Sequence, residues 1–155
     1  MTYTKKELKN YLKELSKKKA EVSSFSFEYE SGHREFQARH RIILSGGTII
    51  QWKIPKKTSL DRETEEKEGK KQEIEVSDEK ILIFVESLRK RKIWDLENCF
   101  EKSLTDAPLL TFRIKNNDQL VFEQQVWERC RNDCKRTKEV IRALAALLPL
   151  DWSPP

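Results

Sequence analysis

Residues 25–30 read Phe-Ser-Phe-Glu-Tyr-Glu, three aromatic rings alternating with serine and glutamate. Successive side chains of a strand point to opposite faces, so this alternation describes a strand that is dry on one side and wet on the other. Sheets with one solvated face are characteristically antiparallel, and they need a cover on the dry face only. The rest of the chain must supply that cover.

Two segments have the pattern to do so. Thr4 and Glu7 stand in the capping-box spacing, in which the hydroxyl and the carboxylate each accept an orphan N–H of the first turn. Leu8, Tyr11, Leu12 and Leu15 then recur at helical spacing and predict one apolar stripe on a helix of about four turns. Ser77, followed by Asp78 and Glu79, caps a second helix whose stripe is Ile81, Phe84, Val85 and Leu88. A third helix is expected from about Asn132 or Asp133. It buries Val140, Ile141, Leu144, Leu147 and Leu148, and Pro149 stops it.

Between the helices lie further strands. Ala38 to Leu44 and Thr48 to Ile54 flank Ser45-Gly46-Gly47, and a glycine pair supplies the positive φ values of a tight hairpin. Leu110, Phe112 and Ile114 alternate with Thr111 and Arg113 and turn at Asn116-Asn117-Asp118. They return through Leu120, Phe122 and Gln124, which are expected on one face. Residues 55–76 carry only Leu60, Ile74 and Val76 as apolar anchors among charged and polar residues, and predict a mobile charged loop. Residues 149–155 form a proline-rich tail. The expected fold is therefore a single α+β domain, an antiparallel sheet of about five strands covered by helices in the order α-βββ-α-ββ-α. A chain of 155 residues suits one such domain.

Composition narrows the function classes. The longest apolar runs, Ile81 to Val85 and Ala143 to Leu148, are far below the roughly 20 residues a membrane helix needs, so no membrane partner is expected. No apolar stretch follows the first lysines as it would in a secretory leader, and the cysteines are three, an odd number. Cys99, Cys130 and Cys134 read most simply as thiols of a cytoplasmic protein. The net charge of +5 is concentrated: residues 1–20 hold seven lysines against Glu7 and Glu14. Lys9, Lys13 and Lys17 of that helix, with Arg89, Lys90, Arg91 and Lys92 further on, form a candidate basic surface. Cations at the C-terminal end of a helix also have a purely structural use, in offsetting the negative end of its dipole.

No chemistry-bearing constellation emerges. His33 and His40 are seven apart across an irregular turn and lack partners at ligand spacing. Cys130 and Cys134 would need two more ligands for zinc. Gln51-Trp52-Lys53 has the shape of half a nuclease motif, but the preceding strand, Gln37 to Leu44, offers no acid. Gly46-Gly47 lacks the trailing residues of a phosphate loop. No catalytic residue, metal, cofactor or small-molecule substrate is expected.

The layout over residues 24–148 resembles a family of small bacterial proteins, the emfourin-like family. It consists of an aromatic strand ending at a glycine-containing turn, a hairpin and a Ser-Asp-Glu-capped helix running into Ile93-Trp94-Asp95-Leu96. A two-stranded unit from Leu109 to Trp127 and a last amphipathic helix follow. The resemblance implies a protein that binds and inhibits thermolysin-type metalloproteases. It points to the turn Gly32, His33, Arg34, Glu35 and Phe36 as partner-binding, although the family's Gly-Gly-Phe is not kept there, and the first helix and the charged tract are additions. Trp152, set among Pro149, Pro154 and Pro155, is a further candidate, because a terminal tryptophan must find a groove or stay exposed. The expectation is a non-catalytic protein-binding module, an inhibitor or a regulatory adaptor. The alternative is a nucleic-acid-associated protein that binds phosphate through the basic surface.

Overall fold

The computed structural model describes residues 2–18, 21–32, 39–54, 70–97, 109–128 and 130–149. Helix α1 (Lys5–Ser16) starts on the predicted capping box, with Thr4 Oγ1 accepting from the Glu7 N–H and Glu7 Oε1 from the Thr4 N–H, both at 3.1 Å. Strands β1 (Phe25–Gly32), β2 (Arg39–Ser45), β3 (Thr48–Ile54) and β4 (Lys70–Glu75) follow. Then come helix α2 (Asp78–Lys90), capped by Ser77, and strands β5 (Leu109–Asn116) and β6 (Gln119–Trp127). The chain closes with a one-turn α3 (Cys130–Asp133) and α4 (Lys135–Ala145).

The six strands form one antiparallel sheet in the order β4-β3-β2-β1-β5-β6. The aromatic strand that most constrained the sequence lies inside this sheet, between β2 and β5. Phe25, Phe27 and Tyr29 are buried on it beside Ile42, Leu44, Phe112 and Ile114. The helices bring Leu8, Leu12, Leu15, Phe84, Leu88 and Val140 to the same core. Phe84 meets Phe27 edge-on, with ring centroids 5.0 Å apart, a preferred aromatic arrangement. Both long stripes read from the sequence are the buried faces observed.

Four expectations need correction. The sheet has six strands, because Lys70–Glu75 is an edge strand paired with β3 and belongs to no loop. An edge strand is held by backbone bonds on one side, so Ile74 alone suffices as its apolar anchor; the remaining residues from 55 to 69 lie outside those described. Next, Leu120 does not share a face with Phe122 and Gln124. A bulge between Ile114 and Lys115 inserts one residue and reverses the alternation, burying Val121 instead. The last helix is interrupted as well: Cys134 is extended at φ −105°, ψ 116° between α3 and α4, and Ile141 is only half-buried. Finally, Cys134 is disulfide-bonded and not a thiol, since sequence spacing does not report which sulfurs meet in space.

Candidate functional site

Two surfaces have enough organisation to act. The first is the end of the helical layer where the candidate basic residues sit. Lys5 of α1 pairs with Asp95 just beyond α2, at 3.0 Å. At the opposite end Lys18, Val22 and Ser23 line a cleft with Asp78 and Glu79. Helices α1 and α2 are therefore antiparallel. Lys9 consequently reaches the end carrying Arg89–Lys92 and lies 5.2 Å over the Trp94 ring. Lys13 and Lys17 fall further along α1, toward the acidic start of α2, so the structure does not bring the whole candidate set together.

Parts of the tetrad are engaged in structural bonds. Arg89 pairs with Glu86 at 2.9 Å and Arg91 with Glu139 at 3.7 Å. The Arg91 carbonyl accepts from Arg136 Nε of α4 at 3.0 Å, which satisfies an orphan group of the helix end with a cation. Lys90 and Lys92 are exposed. The Lys5 hydrogen bond holds the Asp95 carboxyl below its ordinary pKa, with smaller help from the charges of Lys5, Arg136 and Lys9. Lys5, Arg136 and Asp95 were not candidates on sequence grounds. Nothing local signals that α4 docks beside the end of α2.

The second surface is the sheet face opposite the core, which none of the described helices covers. Its rows run across the strands: Lys71, Trp52, Arg41, Glu30, Thr111 and Gln125 in one, then Glu73, Ile50, Ile43, Glu28, Arg113 and Glu123 in the next. Charges alternate and pair across neighbouring strands. Arg41 meets Glu30 at 3.3 Å, Lys115 meets Glu28 at 3.1 Å, and Arg113 meets Glu123 at 2.7 Å and Glu28 at 3.6 Å. Burial works against the Arg113 charge, but the bond to Glu123 and the nearby Glu28 and Glu30 hold its pKa above the ordinary value. Trp52 carries Lys71 over its ring at 4.4 Å and Arg41 at 5.6 Å, and only 8% of it is exposed. Ile43 and Ile50, adjacent in register, are half-buried.

Of the partner-binding candidates, Gly32 ends β1 with φ 109°; His33, Arg34, Glu35, Phe36 and Trp152 lie outside the described residues. Sequence reasoning also missed a shallow cleft of about 530 Å³ lined by Tyr3, Tyr11, Glu14, Glu21, Ser24 and Asn116. Its tyrosines are tied down, Tyr11 Oη to Ser24 Oγ at 3.3 Å and Tyr3 Oη by Asn116 Nδ2 at 3.2 Å. Among the described residues no three His, Cys, Asp or Glu side chains are grouped as a metal ion would require. No described helix is long and apolar enough to cross a membrane. No protein-family model matches the chain, and no curated protein matches it.

Proposed function

We propose that this chain is a non-catalytic binding module whose partner is another protein, held on the sheet face opposite the helices. The observation that carries this reading is the order of that face. Its central charges, those of β1, β2, β5 and β6, are already paired, so docking immobilises few side chains there, and the half-buried Ile43 and Ile50 add the apolar area that protein interfaces use. Its charge is also balanced: Arg41, Lys71, Arg113 and Lys115 stand against Glu28, Glu30, Glu73, Glu75 and Glu123. A face with that balance has no net attraction for a phosphate chain. An inhibitor or regulatory adaptor fits this description, and the layout resemblance makes thermolysin-type metalloproteases the first partners to assay.

One observation favours a second reading, nucleic-acid binding. Lys5, Lys9, Arg136 and the exposed Lys90 and Lys92 gather at one end of the helical layer. Capture from the native host at low and high salt separates the two readings when run with wild type, Ile43→Thr/Ile50→Thr and Lys9→Gln/Lys92→Gln/Arg136→Gln. A protein retained at both salt concentrations, lost with the isoleucine variant and kept by the cation variant supports the sheet face. Nucleic acid released by salt and lost with the cation variant contradicts it.

A further inference from the structure

The two edges of the sheet are built differently. β4 carries charge at four of its six positions, Lys70, Lys71, Glu73 and Glu75, the usual protection of an exposed edge against strand pairing. β6 reads Gln-Leu-Val-Phe-Glu-Gln-Gln-Val-Trp, nine residues with a single charge. Even that charge is held by Arg113 at 2.7 Å.

The direction of the β6 backbone follows from its hairpin. The two-residue turn Asn117-Asp118, with φ 50° and 67°, makes Asn116 and Gln119 a hydrogen-bonded pair. Alternation then continues through the bulge, so the pairs Phe122 with Ile114 and Gln124 with Phe112 are hydrogen-bonded, while Glu123 and Gln125 turn their N–H and C=O groups away from β5. The bonds observed agree. The outward Val121 carbonyl accepts from the Tyr3 N–H at 2.8 Å, and the Gln125 carbonyl accepts from its neighbour Gln124 Nε2 at 3.2 Å. Among the described residues the N–H groups of Glu123 and Gln125 and the Glu123 carbonyl meet no partner.

We infer that β6 is a self-association edge: two copies of this chain pair their β6 strands antiparallel about a two-fold axis at Gln124 and join their sheets into one of twelve strands. The sequence is self-complementary in that register. Phe122 falls opposite the partner's buried Val126, Gln124 opposite the partner's Gln124, and Glu123 opposite the partner's Gln125, so no like charges face each other. The register is also the one the backbone allows. Glu123 and the partner's Gln125 both point outward and form a hydrogen-bonded pair twice over, which gives four N–H to C=O bonds, with the Gln124 amide releasing the Gln125 carbonyl. Tyr3 on Val121 marks where the ladder ends. Because the β4 edges are guarded, association closes at the dimer.

The test is sedimentation of the full chain over a roughly hundredfold concentration range, with Gln125→Glu, Gln125→Lys and Gln125→Pro. Wild type is expected to pass from 18.4 kDa to twice that mass and no further. Gln125→Glu places two carboxylate pairs across the axis and should raise the dissociation constant roughly threefold or more; Gln125→Lys places ammonium opposite carboxylate and should lower it by a similar factor. Gln125→Pro removes two interface donors while sparing the ladder to β5, and should abolish the dimer. The Glu123 and Gln125 amide protons should gain exchange protection as concentration rises. A protein monomeric throughout the range overturns the inference. So does a dimer indifferent to the charge reversal at 125, or one that grows beyond two copies; if the proline variant fails to fold, the two charge variants decide alone.

Discussion

Tyr29 is a side chain whose sequence setting predicted its burial but not its chemistry. Its ring sits in the sheet with no exposure, and its hydroxyl accepts from Arg131 Nη2 at 3.2 Å. Burial pushes its pKa up to about 12, against the opposing pull of Arg131. A folded-state pKa above the unfolded value near 10 means that the stabilisation is whole below pH 10 and disappears as pH rises through about 12. Urea titrations at pH 9 and pH 11.5 should show Tyr29→Phe losing less stability between the two than wild type, by about 1–2 kcal/mol; equal losses would place the phenol in water. Gly47 offers a second test at this scale. Its φ is +80°, and an added Cβ would meet only the Val76 carbonyl, at an ordinary 3.7 Å. The cost of Gly47→Val therefore comes from backbone strain and not from a clash, about 1–3 kcal/mol in chemical denaturation. An unchanged midpoint would mean that the turn tolerates a β-branched residue at positive φ.

Among the elements, α1 separates packing from charge. Leu12 is fully buried, so Leu12→Ala should cost about 2–5 kcal/mol, whereas Lys13→Gln on the exposed side should stay within about 0.5 kcal/mol. Lys9→Gln should cost slightly more, about 0.5–1 kcal/mol, because it gives up the stack on Trp94. Thermal and denaturant midpoints of the three variants check the order, and a Lys13 effect as large as that of Leu12 would contradict it. The elements also show what a sequence can report. The stripes of α1 and α2 were legible because every residue that defines them lies within four turns of its neighbours. β4 was illegible because an edge strand needs no second apolar residue to stay paired. The β6 bulge escaped notice because it is a backbone event, with Leu120 and Val121 offering no residue type that demands it.

For the whole molecule, the fold class followed from periodicity alone, while the surfaces did not. The gathering of Lys5, Lys9 and Arg136 near Asp95 depends on how three helices pack. The paired rows of the second sheet face depend on β1 and β5 meeting although 76 residues separate Gly32 from Leu109 in the chain. Of the candidate site, only Lys9 and the end of α2 were both named from sequence and brought together. The sheet face that now leads was hidden in the glutamates between the aromatic residues of β1, which read only as a wet side. Its role as the docking face is tested most directly by labelling carboxylates and lysines on the captured complex, followed by mass spectrometry. The account predicts that partner binding protects Glu28, Glu30 and Glu123 while Lys5, Lys9 and Lys92 label as in the isolated chain. Protection of those lysines with unchanged labelling of the three glutamates would contradict it and move the binding surface to the basic end of the helical layer.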